Sequence, residues 1–151
     1  MKIYILPLLI LLVAGSACAQ PSHLDRAFRQ FNGDNQLSID PGILLNVSFS
    51  SKKISVLHCL IIDGKKTPDA GRKLRNLEHA VLDDHFEEWF SIRKGKGRVA
   101  AYSLDGPGDL KDIVCLLIGD DDGGLVFHLR GHFTAEDKAR LEAALQQQES
   151  Q

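Results

Sequence analysis

The sequence predicts an α+β fold: an antiparallel sheet, formed as a strand meander in the C-terminal half, with helices packed on one face, after an N-terminal signal peptide. Three observations predict this class. An apolar run follows Lys2 at the N-terminus. Apolar residues then recur at helical spacing from Leu24 onward. Four strand-length segments separated by Gly- and Asp-rich turns occupy residues 87–131.

The first nineteen residues have the composition of a secretory signal peptide. Lys2 precedes an apolar run at 3–13 that only Pro7 interrupts, and small residues follow at 14–17. The run is shorter than the about 20 apolar residues that a membrane-spanning helix needs. The sequence therefore predicts a signal peptide at 1–19 and a single α+β domain at 20–151, whose core covers 24–145.

Two interpretations of the cleavage site remain open. Ala17, Cys18 and Ala19 form a small-x-small site, so that cleavage would leave Gln20 as the first residue. Alternatively, residues 15–18 resemble a bacterial lipobox, and Cys18 would carry a lipid. Both interpretations predict an exported protein, either periplasmic or secreted, or anchored to the membrane as a lipoprotein.

The composition excludes several classes of protein. The chain has 151 residues, is 44% hydrophobic, and carries a net charge of −2 from 18 basic and 20 acidic residues. This hydrophobic fraction is too high for a disordered chain. A near-neutral charge argues against a nucleic-acid-binding protein, and three cysteines are too few for a disulfide-dense scaffold. We expect membrane contact only through the signal peptide or a lipid on Cys18.

The first half of the domain is predicted to alternate helices and strands. Residues 36–39 form a short strand candidate, and Asp40 can cap a following helix that begins at Pro41. The segment Ile54–Ile62 is apolar on both faces and has the length of a strand. An earlier amphipathic helix is predicted by four apolar residues at helical spacing: Leu24, Ala27, Phe28 and Phe31.

The longest helix is predicted to begin with Thr67 as its cap and Pro68 in its first turn, and to end near His85. Its apolar stripe consists of Leu74, Leu77, Val81 and Leu82.

Four strands and a final helix complete the predicted order. The strands are expected at 87–93, 98–104, 110–118 and 125–131. In the second of these hairpins, Val126, His128 and Arg130 are expected to share a solvent-facing side. In the first strand, Trp89 is expected on the face opposite Phe90 and Ile92. Thr134 and Asp137 resemble a capping box for a last helix, whose predicted packing residues are Ala135, Leu141, Ala144 and Leu145.

This order of elements, with the segment 113–121 leading into the strand 125–131, resembles the domain-of-unknown-function 4252 family of small exported proteins, found mainly in Bacteroidetes. The resemblance covers residues 24–145. It implies an envelope or signalling role. Because the family has no assigned activity, the resemblance implies no role for any single residue.

Few side chains suggest specific chemistry. Cys59 and Cys115 are expected to be buried thiols, with a disulfide as the alternative. His128 and His132 have metal-ligand spacing for a helix but lie on a strand without a third ligand, so we expect no metal. The acidic run at 120–122 fails the spacing of an EF-hand and predicts a hairpin turn.

His79 and Asp83 lie four residues apart on the predicted long helix, where a charged helix face is favoured over an acid–base cluster. The sequence contains no nucleotide-binding or nucleophile motif, and we expect no cofactor.

These observations favour a non-enzymatic binding or envelope-associated module without nucleic-acid contacts, whose partner is an envelope protein or peptide. The candidate binding residues are His128, Arg130 and His132, on a sheet face expected to be open. Two alternatives remain. An enzyme of unrecognised class requires a concave pocket with at least two titratable groups of shifted pKa. A structural envelope lipoprotein requires lipid on Cys18.

Overall fold

Three helices and five strands are formed within residues 22–31 and 54–149, which are the residues that the computed structural model describes. The helices are α1 (His23–Arg29), α2 (Ala70–Asp83) and α3 (Ala135–Glu149). The strands are β1 (Ile54–Ile62), β2 (Glu87–Lys94), β3 (Gly97–Asp105), β4 (Leu110–Ile118) and β5 (Gly124–His132). The predicted signal peptide, Cys18, the strand at 36–39 and the helix after Asp40 lie outside the described residues.

The strands form one antiparallel sheet in the order β1-β5-β4-β3-β2. Strands β2 to β5 are joined in sequence as a meander, and β1 pairs with β5 at the edge of the sheet. The α+β class and the C-terminal meander are therefore confirmed.

The helices pack on both faces of the sheet, whereas the sequence predicted one face. Helices α1 and α2 cover the face that carries Tyr102, Val114 and Val126. Helix α3 covers the opposite face through Leu141 and Leu145. The physical reason lies in β4, where four consecutive residues, Ile113, Val114, Cys115 and Leu116, are buried and so need cover on both sides.

Irregularities in two strands change which side chains share a face. The pairing of β1 with β5 shifts register between Val56 and His58, and this bulge turns His58 toward α1. A second shift between Glu88 and Phe90 places Trp89 and Phe90 together on the α3 face. The alternation predicted for β2, with Trp89 and Phe90 on opposite sides, is therefore wrong.

The beginnings of two helices differ in how well the sequence predicted them. Helix α2 begins at Ala70 instead of after Thr67, because the Thr67 amide donates to the Asp63 carbonyl and closes a turn. Asp69 then takes the cap position with a left-handed backbone. The capping box of α3 is confirmed, since Thr134 and Asp137 each accept from the other's backbone amide at 3.1 Å.

Two predicted packing residues are exposed. Leu82 is 50% exposed near the end of α2, although Leu74, Leu77 and Val81 are buried as predicted. Ala135 is exposed in the first turn of α3, whose buried side chains begin further along the helix. Helical rotation of about 100° per residue carries each of these two positions past the edge of the buried stripe.

The loop after β1 packs against the hairpin between β4 and β5. A Cβ atom on Gly64 would lie 1.9 Å from the carbonyl oxygen of Asp121, so no larger residue fits without a shift of the backbone. Within the described residues, no helix is both long and apolar enough to cross a membrane.

Candidate functional site

A cleft of about 500 Å³ opens where α1, the turn after α2 and the sheet meet. Residues 22–25 line it from α1, and residues 83–86 line it from the end of α2. The sheet contributes four side chains: Leu104, Asp112, His128 and Arg130.

The start of α1 is tied to the end of α2 by one carboxylate. Asp84 accepts hydrogen bonds from the backbone amides of His23 and Leu24, at 3.1 and 2.8 Å. Ser22 caps the same helix by accepting from the Asp25 amide at 3.1 Å. These contacts occupy the N-terminal amides of α1 and hold its first turn beside the cleft.

Asp112 and Arg130 are direct neighbours across β4 and β5 and form a two-pronged ion pair. Arg130 Nε lies 2.7 Å from Asp112 Oδ1, and Nη2 lies 3.2 Å from Oδ2. Burial alone raises the pKa of Asp112, but the adjacent His128 ring and the guanidinium outweigh burial and hold the pKa below its usual value. The carboxylate is therefore ionised at neutral pH.

His128 is buried, with 3% of its surface exposed, and borders the cleft. Its Nε2 lies 3.6 Å from Asp112 Oδ1, which is longer than a hydrogen bond. Within the described part of the chain, neither ring nitrogen has a hydrogen-bond partner. An unsatisfied buried polar group costs about 1–3 kcal/mol, so this ring is placed at the expense of stability.

His58 adds a second imidazole ring to the site, next to that of His128. Its ring stacks on the ring of Phe28 with their centroids 4.3 Å apart, and its centroid lies 5.9 Å from that of the His128 ring. Its Nε2 lies 3.1 Å from Asp25 Oδ1. Burial lowers the pKa of His58, and the hydrogen bond to Asp25 only partly offsets burial. The ring is therefore neutral at neutral pH.

The structure brings His128 and Arg130 to one cleft but leaves His132 outside the residues that line it. The prediction that this face of the sheet is open is wrong, because α1 and α2 cover the face and bury Val126 and His128. Of the helical pair, Asp83 lines both the cleft and an adjoining depression of about 210 Å³ between α1 and α2, whereas His79 lines only the depression.

Sequence reasoning missed three polar residues of the site, namely Asp25, His58 and Asp112. Two of them carried a usable signal. His58 is a histidine inside an apolar strand, and Asp112 is a carboxylate near the start of another. In an apolar strand, either residue needs a polar partner or a water-filled site.

Cys59 and Cys115 are free and buried. Both are register partners of Phe127, which lies on the strand between them. Two strand spacings amount to about 9–10 Å, and a disulfide spans at most about 7 Å between Cα atoms. The disulfide alternative does not fit this arrangement.

The side chains of the cleft can bind a ligand or transfer a proton. Within the described residues, no three His, Cys, Asp or Glu side chains are arranged to hold a metal ion. The cleft does contain two titratable groups of shifted pKa, since the His128 ring and Arg130 lower the pKa of Asp112, and Asp112 raises the pKa of Arg130.

Comparison with known proteins finds no relative of this chain. The chain matches no protein-family model, no curated protein and no solved structure.

Proposed function

We propose that the protein is a binding domain and that the cleft beside His128 is its ligand site. The single observation that carries this proposal is the buried imidazole of His128, which borders a cavity and lacks a hydrogen-bond partner among the described residues. If the ring served packing alone, an apolar side chain in its place would cost no stability. A bound ligand supplies the missing partner.

The lining of the cleft supports the same proposal. Leu24, Phe86 and Leu104 supply apolar surface, and the polar groups of Asp112 and His128 lie beside them. A concave site with apolar sides and a few placed polar groups is typical of ligand pockets.

We also propose that the protein is exported and belongs to the domain-of-unknown-function 4252 family, with an envelope protein or peptide as its partner. The signal-like first nineteen residues and the order of elements support this proposal. Intact mass of the protein from its native envelope tests it. A chain that begins at Gln20 supports soluble export, a lipid on Cys18 supports the lipoprotein alternative, and an uncleaved chain contradicts both.

A fragment screen tests the binding site, with the amide and ring NMR resonances of the protein recorded for each fragment. We expect hits that shift the ring signals of His128 and that are lost in His128→Phe. His132→Phe is the matched control, because this exposed histidine lies on the same strand outside the lining. Hits that bind His128→Phe as well as the wild type contradict the proposal.

A second candidate function is proton-transfer catalysis, favoured by the 3.6 Å approach of His128 Nε2 to the Asp112 carboxylate. A histidine oriented by a carboxylate is a common general base, and apo distances often shorten when substrate binds. The alternative predicts turnover of an ester, amide or phosphoester panel that His128→Phe abolishes. Turnover that survives this substitution excludes His128 as the base.

A further inference from the structure

We propose that the cleft recognises a protonated primary amine, with the ammonium group at His128 and Asp112 and its alkyl stem along the apolar side of the cleft. This inference rests on the proposed binding function and names the chemical class of the ligand.

The groups that would attract an anion are already occupied by carboxylates. The N-terminal amides of α1, which would otherwise form an anion site, donate to Asp84. The guanidinium of Arg130 donates both of its nearby N–H groups to Asp112. A phosphate or carboxylate ligand would therefore meet like charge at both positions.

The acidic groups, in contrast, remain in excess. Among the residues that the structure describes, four carboxylates line the cleft, with Arg130 as the guanidinium beside them: Asp25, Asp83, Asp84 and Asp112. Asp83 is the last residue of α2, and its carboxylate joins the partial negative charge of the helix C-terminus. The last turn of α2 contains no basic residue to offset these charges. The electrostatic field of the cleft therefore favours a cation.

The unsatisfied acceptors suit an ammonium group. An imidazole ring offers one acceptor nitrogen when it carries a single proton, and a carboxylate has about four lone-pair positions, of which Arg130 occupies two on Asp112. An –NH₃⁺ group carries three donors. The apolar sides of Phe86 and Leu104 can cover the methylene stem of the ligand.

The experiment titrates three probes of equal length, 1,4-diaminobutane, 1,4-butanediol and succinate, while the ring resonances of His128 are recorded. We expect only the diamine to shift these resonances in a saturable way. Asp83→Asn weakens its binding about two- to fivefold, as expected for one exposed charge. Glu136→Gln, which removes a carboxylate on α3, leaves the affinity unchanged.

The outcomes separate the two proposals. Saturable binding of the diol or succinate at His128 overturns the amine assignment but leaves the cleft as a binding site. Diamine shifts that also occur in His128→Phe, or that Glu136→Gln reduces as much as Asp83→Asn, show non-specific attraction and overturn the assignment. Zinc chloride that shifts His128 when the diamine does not also overturns it, in favour of a metal ligand.

A peptide pair distinguishes a free amine from a lysine side chain as the source of the ammonium group. Acetyl-Gly-Lys-Gly-amide and its norleucine analogue differ only in the charged group. Binding of the lysine peptide more tightly than the diamine identifies a peptide partner. Tighter binding of the diamine identifies a small free amine. Binding of both peptides with equal affinity contradicts recognition of an ammonium group.

Discussion

Asp112 on β4 and His128 on β5 lie side by side, with Oδ1 and Nε2 3.6 Å apart, yet no hydrogen bond joins them. The Asp112 carboxylate is held by Arg130, which lies on β5 two residues after His128 and pairs directly with Asp112. The ring is held by its packing against Phe86 and His58. Each neighbour fixes its own group, and both Asp112 and His128 are among the residues that line the cleft.

Replacement of His128 by Phe tests the energetic consequence of this gap. The substitution removes two buried, unsatisfied nitrogens, and the adjacent cleft has room for the larger ring. We expect the free energy of unfolding to stay equal or to rise by up to about 1–3 kcal/mol. Denaturant unfolding measures it, with His132→Phe as the exposed control. A loss of stability would mean that the ring nitrogens are satisfied in the folded protein.

Stability should depend on pH through His58. Its pKa is lowered by burial, while Asp25 raises it and the charges of Arg29 and His128 lower it. Because the folded-state pKa lies below the unfolded value of 6.5, the stabilising contribution is present above pH 6.5. It is lost as the pH falls through the folded pKa.

The measurement for His58 is the free energy of unfolding at about pH 8 and about pH 5 in the wild type and in His58→Phe. The Phe ring preserves stacking on Phe28 but cannot be protonated. We expect the decrease in stability toward acid to be smaller in the variant. Equal decreases in the two proteins would assign the effect to other histidines.

Asp83→Asn should raise stability while it weakens ligand binding. A negative charge at the last residue of α2 is repelled by the helix C-terminus, and its removal gains about 0.3–1 kcal/mol. Thermal unfolding without ligand measures the gain. If Asp83→Asn instead lowers the melting temperature, the carboxylate has a structural partner and its role in attracting cations is not supported.

Asp84→Ala should destabilise the protein by about 0.5–2 kcal/mol, because α1 loses the acceptor for two N-terminal amides. Asp109→Ala, at an exposed carboxylate of the turn before β4, should change stability by less than about 0.5 kcal/mol. Urea unfolding compares the two variants. Equal effects would contradict the anchoring of α1 through Asp84.

Gly64→Ala should destabilise the fold by about 1–3 kcal/mol, because its Cβ would lie 1.9 Å from the Asp121 carbonyl oxygen. Gly119→Ala is the matched control in the facing hairpin, since its Cβ would lie 3.4 Å from the Asp121 side chain and 3.6 Å from the Gly123 carbonyl oxygen, both of which are ordinary contacts. We expect the control to remain within about 0.5 kcal/mol of the wild type. Chemical unfolding of both variants decides whether the two loops are in contact.

The sequence predicted the elements that depend on local pattern. The bounds of β1 and β4 agree with the apolar runs, and the Thr134–Asp137 capping box follows from its spacing. The placement of His58 could not be predicted, because a bulge between Val56 and His58 turns the strand. A run that is apolar on both faces of the strand gives no sign of such a bulge.

The site itself depends on contacts between residues distant in the chain. Asp84 reaches α1 across about 60 residues of sequence, and His58 reaches Asp25 across about 30. Such pairings arise from how α1 and α2 pack on the sheet. The sequence alone therefore indicated His128 and Arg130 as candidates, but the partners that make them a site appear only in the fold.

A crystal structure of the protein soaked with 1,4-diaminobutane would locate the ammonium group in or outside the cleft. We expect one ammonium nitrogen within about 2.7–3.2 Å of a His128 ring nitrogen and of an Asp112 oxygen, with the alkyl stem against Phe86. A diamine seated elsewhere, or a cleft that holds only water in the presence of saturating diamine, would contradict this expectation.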